Sequence, residues 1–347
     1  MNDITAILLE TRDYFLWLPL LCIIFIFSIT LWKKLQKKFN LNQYQAIQKI
    51  HNYETSRLGG FAIFLFLLFA TSAKIIESKF IEASLISLLP ILLISLREDL
   101  YQDTKPILRI LSMIASSSTF FYIYSLNFPK IDLPYVDLLF NSFLFSFIFY
   151  TFCSVLIMNG KNLIDGSNGL AGFSIISQLF VIFILSQKLG YFDIQISVIL
   201  ILIPALLFIF FNYPLGKIFF GDFGVYMYGF FISMIIIDIF GRSDELLSWG
   251  AIVIIIYPAF EVLFSVIRKK NFFKADNLHL HTIIFKLLNK KLNNNYSNNL
   301  TALCLSFFWL SPLCYLFLMD SLLSILLFII LFSVLYTTLY YFLRKKI

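Results

Sequence analysis

An all-α fold of about eleven membrane-spanning helices follows from three features of the sequence. Of its 347 residues, 60% are hydrophobic, against about 45–50% in a soluble domain. Mean hydropathy is +0.86. The apolar residues gather in runs near the ~20 residues that a spanning helix needs, and the cations between those runs fall mainly on one side. The 42 Phe and 18 Tyr make the helices bulky and carry no chemistry by themselves.

Taken in order, the spans are expected at 14–32, 58–74, 81–96, 110–126, 137–158, 169–187, 193–212, 224–240, 244–266, 300–319 and 321–343. The first stays a span because MNDITAILLETRDYF lacks the basic start and small-residue cleavage site of a signal peptide. The runs 81–96 and 224–240 are short, as a tilted or broken helix would be. No repeat and no linker divides the chain, so 1–347 reads as one domain.

With connection 33–57 placed inside, only Arg12, Lys74, Lys79, Lys130, Lys188 and Arg242 of the 27 Lys and Arg fall outside. That split puts the N-terminus in the periplasm and the C-terminus in the cytoplasm. The net charge of +7 then reads as orientation signal and contact with anionic membrane lipid. No separate basic domain calls for nucleic acid. Cys22, Cys153, Cys304 and Cys314 sit unpaired in apolar runs, which argues against a disulfide framework or a zinc site.

Four polar clusters lie on the expected cytoplasmic side. The central one is NGKNLIDGSNGL, Asn159–Leu170, with three amides (Asn159, Asn162, Asn168), Asp165, and glycines that let the backbone approach a ligand. Glu98 and Asp99 stand where the third span meets the cytoplasm. Adjacent carboxylates need a cation, and Mg²⁺ accepts one or two carboxylates plus phosphate oxygens. A helix end neutralised by Arg97 and Lys105 is the ordinary alternative. Asp222, between Gly221 and Gly224, suits metal or phosphate work or a simple turn. Asn212 offers an amide to a base edge and Phe219 a ring to stack on it, with plain packing the alternative for Phe219.

His279 and His281, near Lys274 and Asp276, suit contact with a pyrophosphate or an exposed loop; His-x-His alone is weak for metal. His51 reads as solvated. Arg57, just before Gly59-Gly60, suits a phosphate or an orientation charge. TIIFKLLNKK, 282–291, reads as an amphipathic helix on the membrane surface, and NNNYSNN, 293–299, as loop. Acids, amides, cations and imidazoles on one face suit an enzyme joining a cytosolic phosphate compound to a lipid. A transporter would place polar residues mid-membrane; Asp238 and Glu261 are the main ones there, and neither has an assignable role.

These clusters resemble, in order, those of the polyprenyl-phosphate N-acetylhexosamine-1-phosphate transferases, the superfamily that includes phospho-N-acetylmuramoyl-pentapeptide transferase. The pieces are Arg57-Leu58-Gly59-Gly60, Glu98-Asp99 with Arg109, Asn159-x-x-Asn162-x-x-Asp165-Gly166-x-x-Gly169-Leu170, Asn212 through Phe219-x-Gly221-Asp222-x-Gly224, and Asp276-x-x-His279-x-His281. The resemblance implies a bacterial inner-membrane enzyme working at the cytoplasmic face. Its substrates would be a UDP-N-acetylhexosamine, GlcNAc first, and undecaprenyl phosphate, with UMP released and a surface glycan begun. It also implies Mg²⁺, with Mn²⁺ able to replace it, and a homodimer. By position Asp222 and Asp99 would hold the metal, and Glu98, Asp99, Asp165, His279 and His281 would form the catalytic set. Arg57, Asn159, Asn162, Asn168, Asn212 and Phe219 would bind substrate. Glu98 for Asp, Val225 for Ser, Asn168 for Asp and Thr282 for a third His depart from the family pattern. They favour a hexosamine transferase over the pentapeptide transferase. A transporter or flippase of lipid-linked sugars is the alternative from another class.

Overall fold

A computed structural model describes residues 10–39, 55–269 and 278–347, with only the backbone described at 36–39. The expectations for His51, Lys274, Asp276 and the first nine residues lie outside them. The described residues are helical apart from turns and one isolated bridge, Ser56 to Ile218.

The helices, in chain order, are α1 Leu18–Phe39, α2 Gly59–Ser72, α3 Lys79–Ser87, α4 Leu89–Tyr101, α5 Pro106–Ile123, α6 Phe143–Ile164, α7 Leu170–Lys188 and α8 Phe192–Asn212. After them come α9 Gly221–Arg242, α10 Gly250–Arg268, α11 Leu280–Asn289, α12 Asn294–Cys304, α13 Ser306–Leu318 and α14 Leu322–Arg344. Eight helices among the described residues are long and apolar enough to cross a membrane, or up to ten if two bent pairs each make one span. The expected eleven would need one more crossing. The remaining run became α2, whose 14 residues reach about 21 Å at 1.5 Å per residue, against a hydrocarbon core of about 30 Å.

The run 81–96 is broken, as its length allowed: α3 and α4 meet at 53°, just before Pro90 near the start of α4. The run 300–319 is also bent, by 43° between α12 and α13. The run 224–240 is whole. It extends back to Gly221 and forward to Arg242, and the bundle encloses it on every side, as expected for a helix apolar all round.

Helix α9 packs against α2, α4, α6 and α7, and small residues let the backbones close. A Cβ on Gly60 would lie 2.0 Å from the Gly224 Cα, and one on Gly229 2.7 Å from the Met158 Cα. Hydroxyls bridge α5, α6 and α9 through Ser117, Ser154 and Ser233 at 3.0 Å each, the kind of polar contact that helices make inside a bilayer.

At one end of the bundle the C-termini of α4, α6 and α8 meet the N-termini of α2, α5, α7 and α9. A backbone zipper ties two of these corners: Phe219 N–H donates to Ser56 O, Gly59 N–H to Phe219 O and Gly60 N–H to Phe220 O. At the opposite end of α9, Arg242 bridges Asp238 and Asp193 at 2.7 and 2.8 Å and donates to the Tyr124 hydroxyl. Asp238, unassigned from the sequence, is thus half of a clamp between α5, α8 and α9.

Candidate active site

The site is built around the first turn of α9. Gly221 has φ +72°, a conformation glycine adopts without a Cβ penalty. A Cβ there would sit 2.2 Å from Arg57 O and 2.7 Å from Asp99 Oδ2. The missing side chain is therefore what lets α2's entry segment, the end of α4 and the start of α9 converge. Asp99, 2% exposed, accepts the N–H groups of Asp222 at 2.8 Å and Phe223 at 3.2 Å. A carboxylate in that position satisfies two otherwise orphan donors and faces the positive end of the helix dipole.

The neighbouring acids share one cation. Arg109 Nη1, at the start of α5, donates to Asp222 Oδ2 at 3.1 Å and lies 3.7 Å from Glu98 Oε1. Glu98 Oε2 also accepts the Thr104 N–H at 2.9 Å. All three side chains keep partial exposure, 15–24%. Asp165 follows the last turn of α6. Burial, then the nearby Asp222 carboxylate, pushes its carboxyl up to about 7, with Arg57 opposing. Glu98, Asp99, Asp165, Asp222, Arg57 and Arg109 are therefore one cluster, as the spacing could only suggest.

The amides are placed differently from expectation. The central stretch is not a loop throughout: α6 runs to Ile164 and carries Asn159 and Asn162, leaving only 165–169 as the turn. Asn159 Nδ2 donates to Val155 O in its own helix and reaches Met113 Sδ. Asn162 is half-buried one turn later. Asn212 spends both ends of its amide on backbone, accepting the Gly169 N–H at 2.6 Å and donating to Ile218 O at 2.8 Å. It ties the glycine turn to the loop before α9. Phe219 is half-buried in that loop and gives its carbonyl to Gly59.

Asn168 meets partners that the sequence did not announce. Its N–H donates to Asn298 Oδ1 at 2.6 Å and its Nδ2 to Asn299 Oδ1 at 2.8 Å. The Asn-rich stretch expected to be loop instead starts α12, with the Asn293 side chain capping it. The amphipathic helix expected at 282–291 is present as α11, Leu280–Asn289: Ile283, Ile284 and Phe285 are buried, while Lys286 is half-buried and Asn289 and Lys290 are exposed. Lys161, counted among the cytoplasmic cations, is fully buried and donates to Ser174 Oγ at 3.0 Å.

His279 and His281 are buried too, each 4% exposed. His279 Nδ1 lies 2.9 Å from Glu261 Oε1, and the Tyr336 hydroxyl donates to Glu261 Oε2. Glu261 thereby gains the role that the sequence could not supply. Its only sequence signal is a carboxylate in a span, costly to bury without partners.

The family described as glycosyl transferase family 4 matches residues 81–240 of the chain, which hold Glu98, Asp99, Arg109, Asp165 and Asp222. The chain is also similar to a Bacillus subtilis (strain 168) protein named "Probable undecaprenyl-phosphate N-acetylglucosaminyl 1-phosphate transferase", 27% identical over 246 residues. That match covers 67% of this chain and 66% of the relative, just under two thirds of its length. The acids and glycine turns of the matched segment converge on one helix N-terminus, so the part of the chain that is similar to glycosyl transferase family 4 is the part that builds the candidate site.

Proposed function

We propose that the protein transfers an N-acetylhexosamine 1-phosphate, GlcNAc first, from a UDP-sugar to undecaprenyl phosphate, at the cytoplasmic face of a bacterial inner membrane. The observation that carries this reading is the cluster of Asp222, Glu98 and Asp165 with Arg109 and Arg57 at one end of a membrane bundle. The name of the Bacillus subtilis relative supports the donor and acceptor.

In the reaction an oxygen of the lipid phosphate bonds to the β-phosphorus, the bond from that phosphorus to the bridging oxygen breaks, and UMP leaves. Phosphoryl transfer depends chiefly on positioning and on neutralising charge. Arg57 and Arg109 would meet the diphosphate. Among the described residues no group of three or more His, Cys, Asp or Glu side chains could hold a metal ion alone. Hard oxygen donors from Asp222 and Asp165 still fit Mg²⁺ or Mn²⁺, which complete their shells with phosphate oxygens and water. Bound there, the ion would supply charge neutralisation at the diphosphate. Asp99, its oxygens taken by two N–H groups, would act by setting where Asp222 stands. A groove of about 690 Å³, lined by Ile26, Phe210, Lys33, Lys217 and Asn168 among others, has the chemistry for a phosphate-headed lipid.

The test is UMP release by purified protein with undecaprenyl phosphate and Mg²⁺. UDP-GlcNAc, UDP-GalNAc, a UDP-linked deoxy-HexNAc and UDP-MurNAc-pentapeptide would be compared as donors. UMP from one hexosamine donor, abolished by EDTA and reduced at least ~100-fold in Asp222→Asn, is the expected result. UMP from the pentapeptide donor alone would move the protein to the other branch. No UMP with any donor, from folded protein, would favour a transporter of lipid-linked sugar.

A further inference from the structure

The two histidines lie behind the Asp165 turn, and the contacts around them run in series across four elements. Tyr336, fully buried on α14, donates its hydroxyl to Glu261. Glu261, 1% exposed on α10, holds His279 Nδ1 with its other oxygen. The His279 and His281 rings run parallel, 3° apart in plane with centroids at 5.6 Å. The His281 ring then sits flush on the turn itself: a Cβ on Gly166 would lie 2.0 Å from its Nε2 and within 2.9 Å of two further ring atoms. One turn before Glu261, α10 touches α6 directly, since a Cβ on Gly160 would meet Pro258 O at 2.4 Å. Glu261 and the turn that follows α6 therefore stand on the two sides of one close helix crossing.

A buried carboxylate and two buried imidazoles are a poor way to add stability, because apolar residues of similar volume serve as well or better. What a satisfied polar network adds is direction: it selects one ring orientation out of several. We propose that this series is a strut for the donor site. In it Tyr336 fixes Glu261, Glu261 fixes the His279 ring, and His281 fixes the Asp165–Gly166 turn. Glu261, Tyr336 and both histidines are then positioning residues. The proposal rests on the transferase reading for its kinetic consequence and on packing alone for its spectroscopic one. The turn it holds carries Asp165, which the transferase reading places at the cation beside the donor diphosphate, so a loosened strut weakens donor binding.

The test uses both consequences on the full chain in lipid nanodiscs. The protein has three histidines, so histidine isotope-labelled at its ring nitrogens yields a spectrum of three residues. Gly166→Ala is expected to move the His281 signal, and Glu261→Gln to move those of His279 and His281 together, because Gln offers either an acceptor or a donor and no longer fixes one tautomer. Tyr336→Phe removes a single hydroxyl and should move His279, which keeps the test open if Gly166→Ala fails to fold. In the UMP assay Glu261→Gln should raise the donor KM about tenfold or more. Because the two residues act in series, Glu261→Gln with Tyr336→Phe should be no worse than Glu261→Gln alone. Histidine signals unmoved by Gly166→Ala and Tyr336→Phe would overturn the strut. So would a fall in kcat with the donor KM intact, which marks a histidine acting on the reacting atoms. A wild-type protein that turns over no donor would sink the transferase reading, and the histidine signals would still decide the strut.

Discussion

At Gly221 three demands meet on one Cα: a φ of +72°, the Arg57 carbonyl and the Asp99 carboxylate. Gly221→Ala adds about 1–2 kcal/mol of backbone strain and drives a methyl into both neighbours. The expected result is a lower melting temperature together with a loss of turnover larger than the unfolded fraction explains. Asp165 makes a prediction about pH. Its carboxyl, pushed up to about 7, stands above the ordinary value near 4, so at neutral pH it is partly protonated. A cation at neighbouring Asp222 favours the ionised form and lowers that value. Mg²⁺ binding should therefore release protons around pH 6–7, less as pH rises beyond 8, where the carboxyl is already ionised. Calorimetric titration of Mg²⁺ in two buffers of different ionisation heat reads this directly. Equal heats for the wild type, or unequal heats persisting in Asp165→Asn, would contradict it. Both residues were visible in the sequence as types in a pattern. The close contacts that give Gly221 its role and Asp165 its proton come from segments some 60 to 160 positions away.

Among the elements, α6 shows most clearly where reading stops. The glycines and amides of 159–170 mark a turn, and a turn is there, but the helix persists one and a half turns further than the polar residues suggest. It does so because Asn159 bonds back to Val155 O and because Lys161 passes inward to Ser174 on α7. A lysine beside an apolar run reads as a solvated charge. Only the packing of α7 reveals it as buried. Among the described residues its amine makes one hydrogen bond, to Ser174, too little to replace the water it lost, so Lys161→Met should add about 1–3 kcal/mol of stability, read as a higher melting temperature. An unchanged or lowered value would mean that the ammonium has further support. The start of α12 is the second case. Asn-rich sequence has weak helix propensity, yet the Asn293 cap and the clasp of Asn298 and Asn299 on Asn168 order it.

For the whole molecule, the sidedness of charge makes a prediction that the bundle sharpens. If the acidic cluster faces the cytoplasm, single cysteines at Lys105 and Lys217, in a background lacking the four native cysteines, should resist a membrane-impermeant thiol reagent applied to intact cells. One at Lys130 should react. The reverse pattern would invert the orientation, and reaction from the outside at both Glu77 and Lys105 would mean that the bent α3–α4 pair does not cross. By itself the sequence determined the solvent of this protein and its helical class, and it singled out the acids and glycines that the structure gathers at the candidate site. Those follow from hydropathy summed over ~20 residues and from residue types that few other environments tolerate. The tertiary structure alone decided which acid meets which cation, that Asp99 holds a helix end, that the amides tie backbone to backbone, and that Glu261 stands behind His279. Each of these is a directional contact between helix ends far apart in the chain. The orientation of such contacts is set by how the helices cross, which local pattern does not encode.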